Sequence, residues 1–256
     1  MATIHETAII GKNVVLGEDV TIGPYTIIRD NVKIGDRTRI DAQVLIGELV
    51  TIGKDCRIFH SAVVGEDNQD LKYNGEKTET IIGDRTTIRE FCTIHRGTDD
   101  KWKTVVGSDC LLMAYAHVAH DVVVGDKVIL ANNATLAGHV EVGEYAIIGG
   151  LTAVHQFCKI GKHTMIGGCY RVIKDVPPYV IAAGEPMRYA GLNVIGLRRR
   201  KFSKEAIKEL KQSYKLLLKS DLNVSDAIKK IQETDYGQEV QNILDFIEKS
   251  DRGIIR

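Results

Sequence analysis

The chain has 256 residues, with 34 Lys+Arg against 34 Asp+Glu, 44% hydrophobic residues and only 6% aromatics. That length suits one large domain, or one with a smaller appendage, and the charge balance excludes a global field that would draw nucleic acid, so any anionic ligand must be held by local clusters. No stretch reaches the ~18 apolar residues of a membrane span, and the opening MATIHETAII lacks the basic and apolar regions of an export signal, which predicts a soluble, cytoplasmic protein.

From the N-terminus onward, Val, Ile or Leu recurs every six residues: Ile4, Ile10, Leu16, Ile22, Ile28, Ile34, Ile40, Ile46, Ile52, Ile58 and Val64. The same phase resumes at Ile82, Ile88 and Ile94, and again from Val106 through Leu112, Val118, Val124, Leu130, Leu136, Val142, Ile148, Val154, Ile160 and Ile166 to Val172. Many of these anchors are followed by Gly, and the fourth residue after each is usually small or β-branched, as in Ile10-Gly-Lys-Asn-Val14. Period six is neither helical nor a plain strand alternation. It predicts a short strand and a turn, repeated, with three repeats closing a triangular coil and coils stacked about 4.8 Å apart. Burial of each anchor is worth roughly 1.5–3 kcal/mol before entropy is subtracted.

The same phase accounts for most of the cysteines. Cys56, Cys92, Cys110 and Cys158 each fall four residues after an anchor, where a small apolar side chain fills the core. Cys169 is one residue out of phase. An odd number of cysteines with no CxxC pair argues against a disulfide framework.

Two polar stretches lack anchors, residues 66–80 (EDNQDLKYNGEKTET) and 97–104 (GTDDKWKT). Loops expelled from a regular solenoid commonly carry function. The solenoid is expected to stop at Asp175-Val176-Pro177-Pro178, followed by a linker through Gly191. We therefore divide the chain into a β-helical domain, 1–190, and a helical domain, 191–256. Ser203 can cap a helix to about Lys219, with Ile207, Leu210, Tyr214 and Leu217 on one face. Further helices are expected near 224–233 and 237–250, the whole tail capping the open end of the stack.

An 18-residue coil lets the sequence be read as columns. His120, Gly138 and Gln156 stack on one face, Asp121 and His139 form the neighbouring column, and His117 lies one corner back. A His oriented by Asp can deprotonate a hydroxyl, and a glycine N–H unscreened by a side chain can stabilise an oxyanion. No serine or cysteine nucleophile has a convincing setting, which points to direct attack without an acyl-enzyme.

The stretches Gly65-Glu-Asp-Asn-Gln-Asp-Leu-Lys-Tyr73, Thr93-Ile-His-Arg-Gly-Thr98, Ala116-His-Val-Ala-His-Asp121, Leu130-Ala-Asn-Asn-Ala-Thr-Leu-Ala-Gly-His139 and Val154-His-Gln-Phe157 resemble the signatures of the hexapeptide-repeat acyltransferases that use acyl carrier protein and UDP-N-acetylglucosamine. The resemblance spans essentially the whole chain. It implies a left-handed parallel β-helix with a C-terminal helical domain, although general chirality would favour right-handed crossovers. It further implies transfer of a 3-hydroxyacyl group to the glucosamine 3-hydroxyl at the start of lipid A synthesis, without a cofactor or metal. On that resemblance His120 is the base, Asp121 its orienting partner and the Gly138 N–H the oxyanion donor. Asp70 and Lys72 would hold the sugar with His117 and His139, while His155 and Gln156 would line the nucleotide-sugar site. Asn193, Arg199 and Arg200 would contact UDP, arginine being suited to pyrophosphate; read without the resemblance, Arg198–Arg200 is equally well a solvated charge run. Gly168 would set acyl-chain length. Ile195 stands where the family often has an acidic residue against uracil, and 184–189 departs from the family pattern. His5, His60 and His163 match no motif and are expected to be structural or exposed.

Three other readings compete. A zinc-dependent carbonic anhydrase on the same fold would need three His ligands converging between subunits, with His117, His120 and His139 as candidates; Asp70, Lys72, the arginine cluster and the helical tail have no part in such a reaction, and bound zinc would identify it. The related N-acyltransferase usually carries an extra N-terminal uridine-binding domain, whereas the repeats here begin at Ile4. A non-catalytic scaffold gives no reason for the His–Asp–Gly convergence. The acyltransferase reading also predicts a homotrimer with sites in the clefts between subunits, since closed cyclic symmetry repeats equivalent sites.

Overall fold

A computed structural model describes residues 1–256. The chain winds as a left-handed parallel β-helix whose cross-section is a triangle. Its first face starts with Thr3–Ile4 and adds a strand each coil through Met165–Ile166. The second runs from Ile9–Ile10 to Arg171–Val172, and the third from Val15–Leu16 to Lys159–Ile160. Register is a strict 18 residues where no loop intervenes, as in Ile4 opposite Ile22 and Val118 opposite Leu136. Most strands are two residues long, too short to build up the twist on which the right-handed crossover preference rests.

The anchors form the core. All are buried except Ile4, Ile10 and Leu16, which belong to the first coil and have no coil below them. Cys56, Cys92, Cys110 and Cys158 are buried among them, and burial pushes the thiols of Cys92, Cys110 and Cys158 up to about 11, so they are inert fillers. Threonines at the same small position are satisfied through the wall. Thr38 Oγ1 donates to Gly53 O and accepts from Cys56 N–H, and Thr86 Oγ1 does the same with Gly107 O and Cys110 N–H.

From Ile10 through Ile166, except where a loop leaves, each corner is turned by a residue at positive φ, three places after the anchor: Asn13, Asp19, Tyr25, Asn31, Arg37 and so on through Asp121, His139, Phe157 and His163; the first corner, at Thr7, is not. None of these positive-φ residues is Val, Ile or Thr, types for which left-handed backbone is costly. Asp121 and His139 are thus held at corners whose backbone is set by the repeat itself.

The expected linker is instead a pair of strands. Val180–Ala183 adds in parallel to Met165–Ile166 and then pairs antiparallel with Arg188–Leu192, continuing the first face after the period is lost. Four helices follow: α1 (Val194–Arg199), α2 (Lys204–Lys219), α3 (Val224–Gln232) and α4 (Gln238–Glu248). Ser203 caps α2 by accepting from Ala206 N–H, and Ile207, Leu210, Tyr214 and Leu217 are its buried face. The C-terminal Ile255 returns to donate its N–H to Asp175 O, closing the last coil. No helix is long and apolar enough to cross a membrane.

Candidate active site

Both polar loops leave the solenoid at one corner. Residues 67–78 connect Val63–Glu66 to Glu79–Ile82, and residues 96–102 connect Thr93–His95 to Lys103–Val106, each passing from the second face to the third. His120 and Asp121 turn that same corner one coil further on, followed by Gly138–His139 and Gln156–Phe157. The columns expected from 18-residue spacing are therefore assembled, with the loops beside them.

At this corner His120 Nδ1 lies 2.9 Å from Asp121 Oδ2. An ionised carboxylate can only accept, so Nδ1 carries the proton and Nε2 is left as the basic nitrogen. Asp121 is fully covered. Its Oδ1 accepts from Thr98 N–H at 2.9 Å and its Oδ2 also accepts from Thr98 Oγ1 at 2.6 Å. Burial alone would raise its carboxyl; the hydrogen bonds from His120 and Thr98, with His139 nearby, outweigh that and hold it below the usual carboxylate range.

Gly138 fits beneath the imidazole. A Cβ there would lie 2.5 Å from His120 Cε1 and 2.6 Å from Nε2, so any side chain would displace the ring. Its N–H has no acceptor within the chain. Where the next coil carries an aspartate at this turn position, as over Lys12, Glu18, Lys54 and Ser108, it takes the N–H; in the coil after Gly138 the matching residue is Gln156, which leaves the donor free.

His139 packs edge-on to His120, with centroids 5.1 Å apart, and stacks on Phe157 at 4.5 Å. Its Nδ1 is 3.3 Å from Asp100 Oδ2 but off hydrogen-bond geometry, so it counts as buried without a partner. His117 projects outward from strand His117–Val118, bonded to Thr93 Oγ1 at 2.7 Å and edge-on to the buried His95 at 5.1 Å. Burial, with His117 and His120 nearby, pushes His95 down to about 4, and burial with His120 also lowers His117. His120, Asp121 and His139 present atoms within 4.8 Å of one another, whereas His117 Nδ1 is engaged with Thr93 Oγ1. Asp70 accepts from Lys72 N–H within its loop at 3.0 Å, and the Lys72 side chain is exposed. His155 and Gln156 are exposed at the same corner.

The remaining expected residues lie at other corners. Asn193 is buried and its amide is occupied: Oδ1 caps α1 at Gly196 N–H and Nδ2 donates to His163 O. Arg200 donates to Tyr145 O at 3.0 Å and lies 4.9 Å over the Tyr145 ring, with one guanidinium nitrogen buried and unpartnered. Both mark the corner between the third and first faces. Arg199 and Ile195 are exposed on α1. Gly168, exposed, sits at the third corner, between the first and second faces. His163 is enclosed by Tyr145, Tyr179 and Phe202, while His5 and His60 are exposed. Sequence reasoning did not single out Thr98, Asp100 or Phe157: Phe157 continues the Asp121–His139 column by the 18-residue spacing, whereas Thr98 and Asp100 are joined to it only once the corner from which residues 96–102 emerge is known.

A groove of about 460 Å³ runs between the third face and α4, lined by Val123, Val142, Lys159, Ile160, Lys162 and Phe246. It does not include His120 or His139.

Residues 175–255 match the family model described as UDP N-acetylglucosamine O-acyltransferase, domain 2, and residues 1–36 match the bacterial transferase hexapeptide repeat. A Chlorobaculum parvum protein named acyl-(acyl-carrier-protein)–UDP-N-acetylglucosamine O-acyltransferase is 62% identical over 99% of this chain and 97% of its own. The Aquifex aeolicus protein of that name is 61% identical over 99% and 98%. The crystal structure of a UDP-N-acetylglucosamine acyltransferase from Bacteroides fragilis superposes with a TM-score of 0.97 at 44% identity, covering 99% of this chain and 100% of that one.

Proposed function

The chain belongs to the family of acyl-carrier-protein-dependent UDP-N-acetylglucosamine O-acyltransferases, and from that premise we propose that its reaction is carried by the His120–Asp121 corner. The enzyme transfers an acyl group from acyl carrier protein to UDP-N-acetylglucosamine. The finer reading is a 3-hydroxyacyl group delivered to the 3-hydroxyl, opening lipid A synthesis in the cytoplasm.

The observation that carries this reading is the imidazole of His120 standing over the Gly138 backbone with Nδ1 on Asp121. His120 Nε2 takes the proton of the attacking hydroxyl as its oxygen bonds to the thioester carbon. The oxyanion that forms is met by the free Gly138 N–H, and the thiol of the carrier's prosthetic arm leaves with the proton returned from the imidazolium. Asp121 steadies the positive ring while the proton is held. Asp70 and Lys72 hold the sugar with His117 and His139, and His155 and Gln156 line the nucleotide-sugar path. Arg199 and Arg200 meet the diphosphate, with Asn193 fixing the helix that bears Arg199; Gly168 limits the acyl groove.

In one subunit these groups mark three different corners, so a second copy must close the site. A cyclic homotrimer places the corner of one chain beside the corners of its neighbours. Sedimentation should give a trimer, and a fully active monomer would overturn this assembly. The reaction is tested by acyl transfer from a panel of 3-hydroxyacyl carrier proteins to UDP-N-acetylglucosamine. Transfer to the 3-hydroxyl is expected; bound zinc with rapid hydration of carbon dioxide, and no transfer, would reverse the assignment.

A further inference from the structure

Thr98 touches no group assigned to the substrate, yet both its donors end on the catalytic carboxylate. It is buried and lies in the six-residue excursion 97–102 at the reactive corner. With Thr98 N–H on Oδ1 and Thr98 Oγ1–H on Oδ2, the carboxylate plane is fixed at both oxygens, and the remaining acceptor direction of Oδ2 faces His120 Nδ1. The same oxygen lies 3.7 Å from His139 Nε2, so a rotated carboxylate has a competing partner. The excursion is itself anchored: Asn68 Nδ2 and Thr78 Oγ1 both donate to Gly97 O, at 3.0 and 2.7 Å, and Asp70 N–H donates to Asn68 Oδ1.

We propose that Thr98 is a positioning residue for the transfer reaction, aiming the Asp121 carboxylate at His120 and tying that aim to the loop that carries Asp70. The proposal rests on the assignment of His120 as base. A merely structural threonine would affect folding or substrate affinity; one that acts through Asp121 alters the base itself. Removal of the hydroxyl leaves the carboxylate less stabilised as an anion, and its stronger pull on the imidazole proton favours imidazolium. The other charged or titratable groups facing the pair are His139, Asp100, His117 and His95, and the substitution leaves them in place.

The test compares Thr98→Val, Thr98→Ser and Asp121→Asn, alone and combined, in acyl transfer measured across pH, with His120→Ala as the reference. Thr98→Val should lower kcat about 10- to 150-fold, a span set by loss of one hydrogen bond to a charged group, with KM for UDP-N-acetylglucosamine changed less than about twofold. The acid limb of its kcat profile should move to higher pH, Thr98→Ser should restore both, and Thr98→Val should add little to Asp121→Asn. An unshifted profile with wild-type kcat, an equal deficit in Thr98→Ser, or full additivity with Asp121→Asn would overturn the proposal. Thr98→Ala removes the same hydroxyl and replaces Thr98→Val if that variant does not fold. A fully active His120→Ala would instead remove the premise, so the two failures are distinguishable.

Discussion

Gly138→Ala isolates the placement of the base from its identity. The added Cβ would stand 2.5 Å from His120 Cε1 and 2.6 Å from Nε2, against a comfortable carbon contact of about 3.5 Å or more. The ring must therefore retreat by roughly 1 Å. Such a shift lengthens its 2.9 Å bond to Asp121 or swings Nε2 off the line of the attacking hydroxyl. A misplacement of about 1 Å at a reacting centre can cost on the order of 10²-fold, so kcat should fall by roughly that factor. The backbone of Gly138 is not among the left-handed positions, so alanine should be tolerated by the coil, and the N–H that meets the oxyanion is retained. Turnover should be measured by single-turnover acyl transfer, with UDP-N-acetylglucosamine binding by calorimetry and melting by circular dichroism on the same samples. A folded Gly138→Ala enzyme with wild-type turnover would refute both the contact and the role given to the ring above it.

His120→Ala should lower turnover roughly 10²–10⁴-fold, the usual worth of a general base, while nucleotide-sugar binding changes little; Asp121→Asn should do less damage, since the imidazole remains. Gly168→Met should shift preference toward shorter acyl chains, read from competition between carrier proteins, because its long side chain would occupy the exposed surface proposed to limit the acyl groove; an unchanged profile places the limit elsewhere. Exhaustive chelation should leave activity intact, and loss that zinc restores would point to metal chemistry. His163, held down to about 4 chiefly by burial, with Arg200 and Lys162 adding to it, binds its proton more weakly folded than unfolded, where the value is about 6.5. Its contribution to stability is therefore unaffected above about 6.5 and is lost as pH falls from there toward 4. Melting temperatures across that window should decline less steeply in His163→Phe, and an identical slope would mean that other groups govern acid sensitivity.

Much of this architecture could be read directly from the residues because a six-residue period carries both the core and the columns. Ile22 and Leu130 are buried where the phase puts them, and His120, Gly138 and Gln156 stack as the arithmetic requires. The phase says nothing about ends. Ile4 and Leu16 repeat like the others but lie in a coil with nothing below, so they are not enclosed. Past Val172 the anchors cease, and the strands Val180–Ala183 and Arg188–Leu192 continue the face through pairing that leaves no periodic trace. Asn193 resembled a ligand contact in sequence, whereas its side chain closes α1 and the His163 carbonyl. Thr98 was hidden because loop residues have no column until the loop's exit corner is known.

The corner turns have a further consequence for how such a chain can change length. The solenoid behaves as a screw thread in which 18 residues make one full revolution and advance the downstream chain by about 4.8 Å. A deletion of six residues would rotate everything beyond it by one third of a turn and carry His139 and Gln156 to the wrong edge. A deletion of one residue would turn every later anchor out of the core. Length can vary freely only where the extra residues bulge outward and re-enter in phase, as 67–78 and 97–102 do. Loops that reach the reactants can be remodelled at that edge, while the thread that spaces the catalytic groups stays fixed.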